Sequence, residues 1–184
     1  MLVKANAIEL LRKELASKRV KGPIGLGSMN DPYMPLEREV ELTRRALSVI
    51  AEFRFPVHIV TKSDLVLRDL EILKQISRQN YAAVSFTITT SDDELGKKVE
   101  PEAPLVSARF RAMEELAANG ILTGVMMMPI LPFIEDTEEN IAAIVVRTHA
   151  SGNSYIIPWL GMSMRDPQRE YYYDRLWSSH LRSS

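Results

Sequence analysis

The sequence predicts an α/β fold: a curved, partial (incomplete) TIM-type βα barrel with parallel strands. Three observations lead there. Five short apolar runs recur about every 30 residues, the length of one βα unit. Amphipathic helical patterns fill the gaps between the runs. The run "AAVSFTITT" alternates Val84, Phe86 and Ile88 with Ser85, Thr87 and Thr89. A central strand of an open doubly wound sheet is apolar on both faces, whereas one polar face suits a strand lining a wet interior. The partial barrel is therefore preferred to the open sheet.

Each element follows from its local pattern. A leading helix occupies residues 1–22, with Asn6 and Glu9 spaced as a capping box and Ile8, Leu11 and Leu15 on one face. The βα repeats fill residues 23–160. Their strands are "PIGLG" from Pro23, "PVHIVTK" from Pro56, "AAVSFTITT" from Ala82, "GILTGVMMMP" from Gly120 and "SYIIPW" from Ser154. After the first, Pro35 suits the first turn of a helix with Leu36, Val40, Leu47 and Ile50 on one side. Asp69 is placed to cap a helix bearing Leu70, Leu73 and Ile76. Phe110, Met113 and Ala117 mark a further helix, ended by Asn119-Gly120. Asp136 and Glu139 resemble a second capping box before Ile141, Ile144 and Val145, and Gly152 ends that helix. Residues 161–184 form a C-terminal tail, whose Tyr171, Tyr172, Tyr173 and Trp177 are expected to pack a terminal helix.

Composition narrows the chemistry. The 184 residues are 46% hydrophobic and 26% charged, and the formal net charge is -1. That balance gives no global field for nucleic acid or anionic membrane. The basic run Arg12, Lys13, Lys18, Arg19 and Lys21 reads as a solvated helix face. No stretch approaches a membrane span, and the N-terminus has no uninterrupted apolar signal-type stretch, so a cytoplasmic protein is expected. The chain has no cysteine, which excludes disulfides, thiolate metal sites and cysteine nucleophiles on these residues.

Ligands of α/β folds bind at the carboxyl ends of the strands. There the sequence gathers Ser28, Asn30, Asp31, Lys62, Ser63, Ser85, Thr87 and Thr89. Several have simpler roles open to them. Asn30-Asp31-Pro32 suits a turn, and Ser63 or Asp64 suits a helix cap. Lys62 is harder to explain away. A lysine ending an apolar strand on its interior parity must reach an anion or water. It is expected to pair with Asp31 when no ligand is bound. Met126, Met127 and Met128 read as core filling, and His58 as a hydrogen-bonded interior histidine rather than a metal ligand. No metal site and no catalytic residue is assigned. The sequence holds no P-loop, G-x-G-x-x-G, H-E-x-x-H or G-x-S-x-G.

The same loops carry a family likeness. "GLGSMNDPYMPLEREVELTRRAL", "FPVHIVTKSDLVLRDLEIL", "VSFTITTSDDELGKKVEPEAP", "GILTGVMMMPILPFIEDTEENI" and "YIIPWLGMSMRDPQREYYYDRL" resemble the radical S-adenosylmethionine (radical SAM) superfamily. The branch they resemble is that of spore photoproduct lyase and DNA-repair-photolyase-like proteins. The likeness runs from about residue 2 to residue 176. It implies a partial βα barrel whose [4Fe–4S] cluster reduces S-adenosylmethionine to methionine and a 5′-deoxyadenosyl radical, which abstracts hydrogen from substrate. Carried over residue by residue, it places Ser28, Asn30, Asp31 and Lys62 at the methionine part of the cofactor. Ser85 and Thr87 fall at its hydroxyl or carboxylate groups, and Met128, Ile130 and Trp159 beside the adenine. Nucleic acid enters as a possible substrate by family analogy alone.

One departure is large. The family's C-x-x-x-C-x-x-C motif, on the loop after its first strand, has no counterpart here. The resemblance therefore implies that the first strand and the cluster ligands are missing, as in a fragment that is catalytically silent by itself. The leading reading is the cofactor-binding remainder of a radical SAM enzyme. The alternative is a cluster-free barrel that binds a nucleotide-like ligand or a protein, and a Lys62 Schiff-base lyase is a more remote third.

Overall fold

In a computed structural model, the structure describes residues 4–152, 154–160, 164 and 166–178. Five strands, β1 (Ile24–Leu26), β2 (Val57–Thr61), β3 (Ala82–Thr87), β4 (Leu122–Ile130) and β5 (Tyr155–Leu160), form one sheet in sequential order. Every neighbouring pair is parallel. The crossovers carry α2 (Glu37–Val40), α3 (Leu42–Glu52), α4 (Leu70–Gln79), α5 (Asp93–Val99), α6 (Val106–Ala118) and α7 (Glu138–Ala150). Helix α1 (Ala7–Ser17) precedes the sheet, and α8 (Asp166–Ser178) follows it.

Strand alternation decides what each face does. Val57 and Ile59 of β2, Val84 and Phe86 of β3, and Val125 and Met127 of β4 join one buried cluster. Leu47 and Ile50 of α3, Leu73 and Ile76 of α4, Phe110 and Met113 of α6 and Ile144 of α7 complete it. The helices therefore cover the face that carries the apolar set. The opposite face carries His58 and Ser85, and it is concave. Adjacent strands lie about 4.8 Å apart, so β2 and β5 would be roughly 14 Å apart in a flat sheet. Yet Tyr155 Oη of β5 lies 3.4 Å from His58 Nε2 of β2. The architecture is an incomplete TIM-like α/β barrel.

Several local expectations change. Asn6 begins α1 without a side-chain cap. The single helix expected after Pro35 is broken at Glu41, which has φ 49°. The Glu37 carboxylate then accepts hydrogen bonds from the backbone N–H groups of Thr43 and Arg44, at 3.0 and 3.3 Å, and so caps the restart. Asp69 caps nothing. It is buried, and it holds Arg44 at 2.8 Å, Arg68 at 3.1 Å and the Tyr33 hydroxyl at 3.1 Å. Thr137, not Asp136, caps α7 by accepting from Asn140 N. Ser63 accepts from Leu65 N as a cap should. Gly120 and Gly152 end their helices at φ 76° and 72°.

The third crossover also holds the unexpected short helix α5, capped by Asp92. Of the three methionines in β4, Met127 is core, while Met126 and Met128 are half-buried on the concave side. In α8, Tyr171 and Tyr173 are exposed rather than packed. The side chain of Trp177 lies outside the described part. No helix among the described residues is long and apolar enough to cross a membrane.

Candidate functional site at the strand ends

The loop after β1 is tied to the end of β2 by Asp31. Its Oδ1 accepts from Tyr33 N at 2.9 Å and from Thr61 Oγ1 at 2.6 Å, and its Oδ2 accepts from Lys62 N at 2.7 Å. Asp31 thus shapes the turn and also fixes the residue that carries the lysine. Ser28 and Asn30 lie exposed on the same loop. Asn30 and Asp31 border an apolar pocket of about 200 Å³, together with Pro32, Met34, Leu36 and Val40.

Lys62 does not pair with Asp31, whose oxygens are taken by three other donors. Its ammonium bonds to Glu100, whose second oxygen accepts from Arg109 Nη2 at 2.7 Å. Arg109 is 2% exposed, and it also donates to Thr87 O at 2.8 Å and to Pro104 O at 3.1 Å. Burial pushes the Glu100 carboxyl up, but Lys62 and Arg109 outweigh it and leave the group below its ordinary value. The triad is two cations around one carboxylate, so it carries a net positive charge.

Thr61 registers with Phe86, which sets Lys62 beside Thr87 at the next position. The Thr87 side chain is buried, yet its hydroxyl has no hydrogen-bond partner among the described residues. Such an orphan beside a net cation suits an oxygen-bearing anionic group. Further round, the buried Glu135 accepts from Thr89 Oγ1 at 2.6 Å and from Leu131 N at 3.0 Å. Burial raises its carboxyl.

Ser85 belongs to a different group. Its hydroxyl is 2.7 Å from His58 Nε2 and 2.7 Å from Tyr155 Oη, below the strand ends. Of the residues expected near an adenine, Ile130 is buried, Met128 is half-buried and Trp159 is 65% exposed. The structure therefore brings together Asp31, Lys62 and Thr87, sets Ser85 deeper, and leaves Ser28, Asn30 and Trp159 in the open.

Sequence reasoning missed Glu100, Arg109, Glu135 and Tyr155. Arg109 had left a trace, a charge inside the apolar stripe of Val106, Phe110 and Met113. Tyr155 shares parity with Trp159, and it needs the space left by Gly124. A Cβ at Gly124 would lie 2.3 Å from the Tyr155 ring.

The residues fit S-adenosylmethionine at one end, because Lys62 and Thr87 suit its carboxylate. They do not fit an iron–sulfur cluster. The sequence has no cysteine, and the described residues include no group of three or more His, Cys, Asp or Glu that could hold a metal.

No family model matches the chain. An uncharacterized protein of Methanocaldococcus jannaschii is 33% identical over 171 residues, which are 93% of this chain and 61% of that protein. A radical SAM Nalpha-GlyT isomerase of Pseudomonas phage M6 is 24% identical over 155 residues, 84% of this chain and 32% of that one. The chain thus spans less than two thirds of the first relative and about a third of the second. Among solved structures, Streptococcus suis SuiB superposes with a TM-score of 0.63 at 15% identity, over 93% of this chain and 40% of SuiB. SuiB bound to S-adenosylmethionine gives 0.58 at 16% identity, over 85% and 35%. SuiB bound to the precursor peptide SuiA gives 0.57 at 15% identity, over 85% and 36%. The last overturns the expectation of a nucleic-acid substrate, since the similar fold there holds a peptide. The likenesses do not select the spore photoproduct lyase or DNA-repair-photolyase-like branch. What these likenesses show is the fold, the incomplete TIM-like α/β barrel that the chain shares with SuiB.

Proposed function

We propose that this chain supplies the S-adenosylmethionine-binding face of a radical SAM barrel. The observation that carries the reading is the Lys62–Glu100–Arg109 triad beside the unpartnered Thr87 hydroxyl. One ligand carboxylate there neutralises the net cation and satisfies the orphan hydroxyl. Lys62 and Thr87 hold the methionine carboxylate. Asp31 fixes the backbone under Lys62, and Arg109 retains Glu100 while Lys62 turns to the ligand. Met128 and Trp159 offer apolar surface to the adenine, with only the backbone at the buried Ile130 beside it, and Ser28 and Asn30 close over the methionine part.

The chemistry that such a cofactor supplies is hydrogen abstraction from substrate. These 184 residues offer no thiolate to a cluster, so this chain by itself is expected to bind the cofactor without cleaving it.

Calorimetry with three ligands tests the assignment. Lys62→Ala should weaken S-adenosylmethionine and S-adenosylhomocysteine by about 1.5–3 kcal/mol, the range for a hydrogen bond to a charged group. Methylthioadenosine lacks the carboxylate, and its affinity should not change. Equal losses for all three would remove Lys62 from the carboxylate site. Unchanged binding of all three would do the same.

A further inference from the structure

The concave face is divided into two chemical zones, and the lower one is not explained by a carboxylate site. On the strands below Lys62, its inward positions are Gly25, His58, Val60, Ala83, Ser85, Leu122, Gly124 and Tyr155, and none carries a formal charge at neutral pH. Three of these side chains are polar and bond to one another. His58 Nε2 and Ser85 Oγ are 2.7 Å apart, Ser85 Oγ and Tyr155 Oη are 2.7 Å apart, and Tyr155 Oη lies 3.4 Å from Nε2. Ser85 is fully buried, while His58 and Tyr155 are half-buried and reach the open side of the barrel. His58 Nδ1 has no partner among the described residues.

We propose that His58, Ser85 and Tyr155 form a binding site for an uncharged ligand group that carries a hydrogen-bond donor beside an acceptor, as an amide or lactam edge does. The chain of bonds can run in two directions. If Tyr155 donates to Ser85 and Ser85 donates to His58 Nε2, then Nδ1–H is a free donor and Tyr155 Oη a free acceptor. If His58 Nε2–H donates to Ser85 and Ser85 donates to Tyr155, Nδ1 becomes the acceptor and the tyrosine O–H the donor. In both directions one end donates while the other accepts. A ligand with a single kind of group satisfies only one end. An ion is disfavoured, because no formally charged side chain projects from this part of the face and desolvating an unpaired charge is costly.

Burial also lowers the His58 imidazole and raises the Tyr155 phenol, so both stay neutral around neutral pH. Val60 supplies an apolar wall at the level of Ser85, and Met126 and Ile157 stand one inward position above it. Gly124 keeps the arrangement open by leaving room for the Tyr155 ring. This site does not depend on Lys62, so it stands or falls separately from the cofactor reading.

The test is to follow the His58 ring by proton and nitrogen NMR in the full chain, assigned through His58→Gln, during titration with small probes. The probe 2-pyrrolidinone presents a donor and an acceptor on one edge. It should shift the His58 signals and saturate on the order of tens of millimolar, an ordinary affinity for so few atoms. N-methyl-2-pyrrolidinone, which lacks the donor, should bind about tenfold more weakly, the cost of one hydrogen bond in a buried site. Tyr155→Phe keeps the ring and Ser85→Ala keeps the strand, and each should weaken the lactam by a similar factor. Lys62→Ala should leave the titration unchanged, and acetate should not move His58. The proposal is overturned if 2-pyrrolidinone leaves His58 unmoved. Equal binding of the N-methyl compound overturns it too, as does a titration that neither Tyr155→Phe nor Ser85→Ala alters.

Discussion

Arg109 and Glu100 lie nine residues apart, and their side chains meet at 2.7 Å where the third crossover folds over the strand ends. The guanidinium is 2% exposed, and two of its nitrogens are spent on the carbonyls of Pro104 and Thr87. Removing one partner of a buried pair strands the other's charge, which costs about 3–5 kcal/mol. Arg109→Met should therefore lower the urea midpoint strongly. Glu100→Gln should lower it too, because the buried guanidinium then loses its carboxylate, whereas Arg109→Met leaves Glu100 paired with Lys62. If Glu100→Gln leaves the urea midpoint unchanged, the carbonyls and not the carboxylate hold Arg109.

Glu100 and Glu135 should give stability opposite dependences on pH. Glu100 is held below its ordinary value of 4.5 by Lys62 and Arg109, despite its burial. The unfolded chain then binds more protons, so its contribution is full above 4.5 and is lost as pH falls through the folded value. Glu135 is raised by burial. Its contribution is full below 4.5 and is lost as pH rises through the folded value. Urea midpoints measured across the acid range should show Glu100→Gln with a shallower acid fall. Glu135→Gln should show a shallower loss on the alkaline side. Parallel profiles for wild type and both variants would contradict the two shifts.

Asp31 offers a sharper test of the loop. Asp31→Ala leaves the Thr61 hydroxyl and the Lys62 N–H without their acceptor, a loss of about 1–3 kcal/mol for a buried donor. Amide exchange at Lys62 and Tyr33 should accelerate, while amides in the middle of β3 keep their protection. Exchange that rises evenly through the sheet would mean that Asp31 supports the whole fold and not the loop alone.

How much of this was legible depends on the range of the interactions. The alternation of Val84 and Phe86 with Ser85 and Thr87 is local, and it fixed both faces of β3 correctly. The same parity put His58 and Lys62 on one side of β2. The Asp69 cap failed because Arg44 and Arg68 converge on that carboxylate, and Arg44 comes from 25 residues away. The helix after Pro35 broke at Glu41 because Glu37 folds back to cap the restart, which periodicity cannot reveal. Lys62 was singled out correctly as needing an anion. The anion was misassigned because Glu100 lies 38 residues further on, beyond any strand-end loop that spacing alone joins to it.

The last prediction concerns Gly124, whose role is spatial. A Cβ at this position would sit 2.3 to 2.5 Å from three atoms of the Tyr155 ring. Real contacts are not that close, so Gly124→Ala must displace the tyrosine, β5, or both. Overpacking of this kind costs about 1–3 kcal/mol. The displaced ring should also lose its 2.7 Å bond to Ser85, releasing His58 from the shared chain. Two measurements separate the consequences. Thermal unfolding reads the cost of strain, and the His58 ring signals read the loss of the hydrogen bonds. Pairing Gly124→Ala with Tyr155→Leu should recover part of the stability, because the smaller side chain relieves the clash, while the His58 signals stay altered. If Gly124→Ala unfolds like wild type with unchanged His58 signals, the tyrosine is not seated against Gly124 and the floor of the barrel is built differently.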